Sequence, residues 1–177
     1  MSTVFFDIDS QVDFLYPAGA LYVPGAECIV PAIARLNRYA AAHGIPVVST
    51  ADAHAENDVE FRQWPPHCIA GTLGQRKAAE TRLDPARQIV VEKQTVDVFL
   101  CPRLGQVVEE LNPERCVVYG VVTEICVYYA VKGLLERGKQ VVVVTDAVRE
   151  LQPEDAARVL GDFQSAGVNL VRAADVA

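Results

Sequence analysis

Six short apolar, β-branched runs alternate along this chain with four amphipathic stretches, and that alternation leaves few folds open. The runs are Val4 to Ile8, Val47 to Ser49, Ile89 to Val91, Val117 to Tyr119, Val141 to Thr145 and Asn169 to Val171. Their length and composition suit buried strands. The stretches between them, Ile29 to Ala42, Pro102 to Leu111, Val127 to Arg137 and Pro153 to Ala166, have helical periodicity. Gly44, Gly138 and Gly167 close three of the four, as a residue just past a helix end should. Strands that are apolar throughout and separated by helices must be covered on both faces. The expected fold is therefore α/β, a three-layer αβα arrangement around a six-stranded, mainly parallel sheet. With 177 residues, 51% of them apolar, the chain has material for one core, and residues 1–177 are expected to form a single domain.

Charge and cysteine content narrow the range of partners. A formal net charge of −7 disfavours nucleic acid or an anionic membrane as the main partner, since both reward basic patches. A small, neutral or basic ligand suits it better. No basic segment followed by an apolar stretch opens the sequence, and no apolar run approaches the roughly 18 residues of a membrane span. A cytoplasmic protein is expected. The five cysteines are odd in number and unpatterned, so they read as reduced thiols and not as a disulfide framework or a zinc ribbon. No GxGxxG follows the first strand, which removes the usual dinucleotide fingerprint.

In a parallel sheet, ligands bind outside the carboxyl ends of the strands, so the residues there carry the functional argument. The fourth run leads through Gly120-Val-Val-Thr-Glu-Ile-Cys126 into a helix, which puts Cys126 on a strand-to-helix turn. Unpaired N–H groups at such a turn can lower a thiol pKa and hold an oxyanion. The plain alternative is an inert buried cysteine. The first run ends in Asp7-Ile-Asp9-Ser-Gln-Val-Asp13-Phe14. Alternation puts Asp7 and Asp9 on one face, with Asp9 nearer the carboxyl end and the better base. Asp7 and Asp13 read as packing or capping residues. The third run ends in Glu92-Lys93, and an ammonium there would keep Asp9 ionised and attract a negative intermediate. Three strand ends thus deliver a carboxylate, an ammonium and a thiol to one edge.

The irregular stretch from Ala51 to Thr81 is long enough to expect a function of its own. It holds Asp52-Ala-His54 and, further on, His67 in Gln63-Trp-Pro-Pro-His-Cys-Ile-Ala-Gly-Thr72. On extended backbone, Asp-x-His presents an oxygen and a nitrogen on one side, and His67 can close a three-ligand metal site with positions left for water or substrate. The third histidine, His43, precedes Gly44 and reads as a helix-end residue.

As a set, Asp9 in Asp-x-Gln-x-Asp-Phe, Asp52-x-His54, Trp64-Pro-Pro-His-Cys-x-x-Gly-Thr, Lys93 and Gly-Val-Val-Thr-Glu-Ile-Cys126 resemble the nicotinamidases of the isochorismatase-like cysteine hydrolases. The resemblance runs from Val4 to about Ala147. It implies Cys126 as nucleophile, Asp9 as general base and Lys93 as electrostatic partner. It also implies a cis peptide before Val122 that turns the Val122 and Cys126 N–H groups into an oxyanion hole. Asp52, His54 and His67 match the family's ligands for one divalent ion (zinc, iron or manganese), and Phe14 and Trp64 match residues that stack on a pyridine ring. The family also suggests a homo-oligomer. This chain departs from the pattern at Ala53, where many relatives carry tryptophan, and in having no further histidine before His67. Glu60 or water would then complete the metal shell. The implied activity is hydrolysis of nicotinamide to nicotinate and ammonia. The competing readings are a related amidase for N-carbamoyl, ureido or maleamate-type compounds, and a silent binding module on the same fold.

Overall fold

In the computed structural model, which describes residues 2–177, the alternation becomes β1 (Thr3–Ile8), a single turn α1 (Val12–Leu15), α2 (Val30–Ala42), β2 (Val47–Asp52), β3 (Gln88–Lys93), α3 (Pro102–Leu111), β4 (Arg115–Val121), α4 (Tyr128–Glu136), β5 (Gln140–Arg149), α5 (Pro153–Ser165) and β6 (Asn169–Val171). The sheet has the order β3-β2-β1-β4-β5-β6, and every pairing is parallel. The direction of the strand order reverses between β1 and β4, which opens a crevice at their carboxyl ends.

Alternate residues of each strand feed two apolar layers. Val4, Phe6 and Ile8 of β1 and Cys116 and Val118 of β4 pack with α3, α4 and α5 through Leu104, Val131 and Phe163. Phe5, Val117 and Tyr119 face the other way, onto Ile33, Leu36 and Ala40 of α2. Leu36 and Ile33 are fully enclosed, so truncating either to alanine would cost roughly 2–5 kcal/mol. No helix among the described residues is long and apolar enough to cross a membrane.

The long loop has more order than its sequence suggests. Its first residues complete β2, and short 3-10 turns occupy Val59–Arg62 and Ala79–Thr81. A segment from Gly74 to Ala78 folds back against the residues after β1: Val12 N–H donates to Arg76 O, Asp13 N–H to Gly74 O, and Ala78 N–H to Ser10 O. His43 caps α2, its Nδ1 lying 2.8 Å from Tyr39 O.

Candidate active site

The corner after β1 sets the first group. Asp9 follows Ile8 directly with φ of 50°, a left-handed conformation that costs an aspartate energy and persists only where its surroundings demand it. Its N–H lies 3.2 Å from both Thr50 O and Thr50 Oγ1, and the Thr50 hydroxyl donates back to Asp9 Oδ1 at 2.6 Å. This corner breaks the alternation expected of β1. Asp7 turns to Asn37 and Lys77 while Asp9 turns to Thr50 and Lys93, so the two carboxylates do not share the one face that simple period two predicted. Asp13 behaves as a loop cap, accepting from Ala20 N–H at 2.9 Å and Cys68 N–H at 2.7 Å.

Lys93 ends β3 in register with Asp52 at the end of β2. It is buried, with Nζ 2.9 Å from Asp9 Oδ2, 2.5 Å from Asp52 Oδ1 and 3.7 Å from Cys126 Sγ. Asp9, Lys93 and Cys126 therefore meet, as the strand-end argument required. Cys126 lies in a π-helical turn, Thr123–Val127, that precedes α4. Ile125 and Val127 N–H both donate to Val122 O at 3.1 Å, and the Val121–Val122 peptide is cis. The approach of β4 to β1 here depends on Gly120, which has φ of 120°, and an added Cβ would lie 2.0 Å from Ile8 O. Only glycine lets the two strand ends come this close.

One ammonium serving two buried carboxylates sets the electrostatics. Burial pushes Asp9 above the usual carboxylate range and Asp52 adds to the push, against the opposing pull of Lys93 and the Thr50 hydroxyl. For Asp52, burial pulls the same way but Lys93 and His54 outweigh it, so it stays below the usual range. Asp9 is thus the member that takes a proton first. Burial alone would lower Lys93, yet Asp9, Cys126 and Asp52 together hold it well above its ordinary value as an ammonium. Burial also pushes the Cys126 thiol well up, beyond what Lys93 offsets. That reverses the direction expected from a helix mouth, because full enclosure costs a thiolate more than the turn's N–H groups and one shared ammonium return. A thiol and a carboxyl group, both held above their ordinary values, thus lie side by side.

Asp52, His54 and His67 are all buried, and one ligand atom from each lies within 4.8 Å of the others. The donor set passes a direct test of fit to a divalent ion. His54 Nδ1 lies 3.0 Å from Asp58 Oδ2 and His67 Nδ1 lies 2.8 Å from Pro65 O, which directs both Nε2 lone pairs inward. His54 Nε2 is buried with no hydrogen-bond partner, the condition of a metal-ligating nitrogen. Both Nε2 atoms face Asp52 Oδ2, at 3.8 and 3.9 Å. Glu60 lines the same cavity without joining the three-residue cluster. Three supporting residues were not singled out from the sequence: Asp58, Thr50, and Gln11, which brackets Asp52 by accepting its N–H at 2.7 Å and donating to its carbonyl at 2.8 Å. The only sequence signals were the spacing His54-x-x-x-Asp58 and the place of Gln11 in the first motif.

These groups open onto a pocket whose space, open mouth included, is about 410 Å³. Asp9, Cys126, Val122 and the metal-type residues Asp52 and His67 form its floor, and Phe14, Trp64, Leu21, Val23, Val96 and Leu151 are among its walls. Among the described residues that line it there is no arginine or lysine.

Residues 3–175 match the model of the Isochorismatase domain family. The chain belongs to the isochorismatase family. A solved family structure, the pyrazinamidase of Pyrococcus horikoshii in complex with zinc, is 30% identical and superposes with a TM-score of 0.89, covering 97% of this chain and 99% of that one. The nicotinamidase of Escherichia coli (strain K12) is 25% identical over 95% of this isochorismatase-family chain and 93% of its own length. N-carbamoylsarcosine amidase from Thermoplasma acidophilum is 25% identical with a TM-score of 0.86, covering 98% of this chain and 97% of that one.

Proposed function

We propose that the protein, with residues 1–177 acting as one hydrolase domain, is a cysteine amidohydrolase that converts nicotinamide to nicotinate and ammonia. The observation that carries the substrate reading is the cavity: largely aromatic and aliphatic walls, with no arginine or lysine among the described residues that line it, above a thiol, a carboxylate and an Asp-His-His cluster. A flat neutral carboxamide fits such walls between Phe14 and Trp64. N-carbamoyl amino acids, ureido acids and maleamate each carry a carboxylate, for which these walls supply no basic side chain. The similarity to an N-carbamoylsarcosine amidase keeps that class as the second reading.

Asp9 accepts the Cys126 thiol proton as Sγ attacks the amide carbonyl carbon, and the oxyanion is held by the Val122 and Cys126 N–H groups with Lys93 nearby. Asp9 returns the proton to the amide nitrogen as the C–N bond breaks, releasing ammonia and leaving a thioester on Cys126. Asp9 then takes a proton from water as its oxygen attacks the thioester carbonyl. Collapse yields the carboxylic acid, and Asp9 returns the proton to the Cys126 sulfur. Asp52, His54 and His67 would hold a divalent ion, which when bound supplies a Lewis-acidic contact for the ring nitrogen and so orients the carboxamide. The buried thiol, up-shifted by its enclosure, needs the base beside it, and for this reason Asp9 and Cys126 act as a pair.

The test is ammonia release from nicotinamide, N-carbamoylsarcosine and maleamate, with metal analysis of the same sample. The proposal expects turnover of nicotinamide by protein that carries a divalent ion. Release confined to the carboxylate-bearing compounds would transfer the protein to the second reading.

A further inference from the structure

Beneath the candidate site lies a second buried ion pair that the mechanism above does not use. Lys77 Nζ lies 2.8 Å from Asp7 Oδ2 and 2.5 Å from Ser10 Oγ, with all three residues buried. Asp7 Oδ2 also accepts from Asn37 Nδ2 at 2.8 Å, Asn37 Oδ1 accepts from the Tyr119 hydroxyl at 2.6 Å, and Ser10 Oγ lies 3.2 Å from Thr81 Oγ1. A buried ion pair is seldom retained for stability alone, because desolvation offsets most of its attraction. Its position suggests another role. Asp7 and Ser10 flank the Ile8–Asp9 corner, and a single ammonium ties them together. The backbone of the same loop adds Ala78 N–H to Ser10 O at 2.9 Å. Asp9, between them, has the left-handed φ of 50° that must be imposed from outside.

We propose that Lys77 is a positioning residue: by joining Asp7 to Ser10 it holds the corner that aims the Asp9 carboxylate at Cys126 and Lys93. The inference rests on the reading of Asp9 as the base for Cys126. It assigns part of the long loop, which also carries His54 and His67, to setting the base. Docking of that loop and alignment of Asp9 are then one event, since Gly74–Ala78 cannot leave the residues after β1 without releasing Ser10.

The test compares wild type with two variants. Asp7→Asn/Lys77→Met removes both charges together, so no lone charge is left buried. Ser10→Ala keeps the ion pair and the Ala78 N–H to Ser10 O bond and deletes only the hydroxyl through which Lys77 holds Ser10. Each is measured in two ways: the pH dependence of Cys126 alkylation by iodoacetamide, mapped by mass spectrometry and needing no substrate, and steady-state ammonia release from nicotinamide. Folding is checked by circular dichroism and metal content by elemental analysis, and if the double variant does not fold, Ser10→Ala carries the test. The expected result is at least a tenfold fall in alkylation at neutral pH, recovered only at more alkaline pH where the thiol ionises unaided. With it comes at least a tenfold fall in kcat with KM within about twofold. A folded, metal-loaded variant that only melts earlier, with wild-type alkylation and kcat, would overturn the inference and leave the pair a structural one. If wild type releases no ammonia from nicotinamide, the substrate reading fails, while the alkylation profiles still decide whether Lys77 sets the base.

Discussion

Replacing Thr50 with valine deletes one hydroxyl and preserves the shape of a fully enclosed side chain. The substitution removes the 2.6 Å donation to Asp9 Oδ1 and the 3.2 Å contact of Asp9 N–H with Thr50 Oγ1, while that N–H keeps Thr50 O as an acceptor at 3.2 Å. A hydrogen bond to a charged group contributes about 1.5–3 kcal/mol. Each pKa unit corresponds to about 1.36 kcal/mol, so Asp9 should rise by about one to two units beyond its already raised position. The sign follows from which form the hydroxyl serves. Thr50 stabilises the ionised carboxylate, and without it the protonated form gains. The acid limb of kcat/KM for nicotinamide should therefore move about one to two units toward higher pH, with the plateau above it little changed. Stability should follow the same group. An acid whose folded pKa is raised contributes stability at low pH that is lost as pH rises through the folded value. The variant's deficit in urea unfolding should be about 1.5–3 kcal/mol on the plateau and vanish below the limb, where protonated Asp9 no longer depends on the donor. An acid limb that superposes on that of wild type, in a folded variant, would refute the assignment of Asp9 as the base.

On the alkaline side, Cys126 and Lys93 are both held above their ordinary values, so kcat/KM should stay flat past the range in which a free cysteine ionises. A decline beginning near pH ~8.5, where free thiols titrate, would contradict the thiol-first mechanism. Gly120→Ala forces a Cβ against Ile8 O and strains a φ of 120°. It should destabilise by at least about 2 kcal/mol in urea and remove most ammonia release, since the ends of β1 and β4 separate. Asp58→Ala frees the His54 ring and should weaken the divalent ion about 10–100-fold in competition with a chromophoric chelator. Unchanged affinity would mean that Asp58 does not orient the ligand.

The framework of the site was legible because strand ends are legible. Runs such as Val117–Tyr119 are too apolar and too short to be anything but buried strands, and once the sheet is parallel their carboxyl ends bring Asp9, Lys93 and Cys126 together. The supporting residues were hidden because their roles exist only between elements. Thr50 reads as one more β-branched strand residue until the register of Asp7 with Ser49 brings Thr50, one residue on, and Asp9, two residues on, to the same edge. The direction of the Cys126 shift was missed for a related reason: a helix mouth is visible in sequence, whereas enclosure by Lys93, Asp9 and the cavity walls is tertiary. The shared face expected for Asp7 and Asp9 failed where the chain leaves β1 in a left-handed turn, which no strand pattern encodes.

The proposed reaction turns on a covalent thioester at Cys126. Acid-quenching the enzyme during turnover of nicotinamide and mapping the Cys126 peptide by mass spectrometry measures it directly. A nicotinoyl adduct on Cys126 should appear within the first turnover, decay as substrate is exhausted, and be absent from Cys126→Ala, which should release no ammonia. Full ammonia release by Cys126→Ala would contradict it.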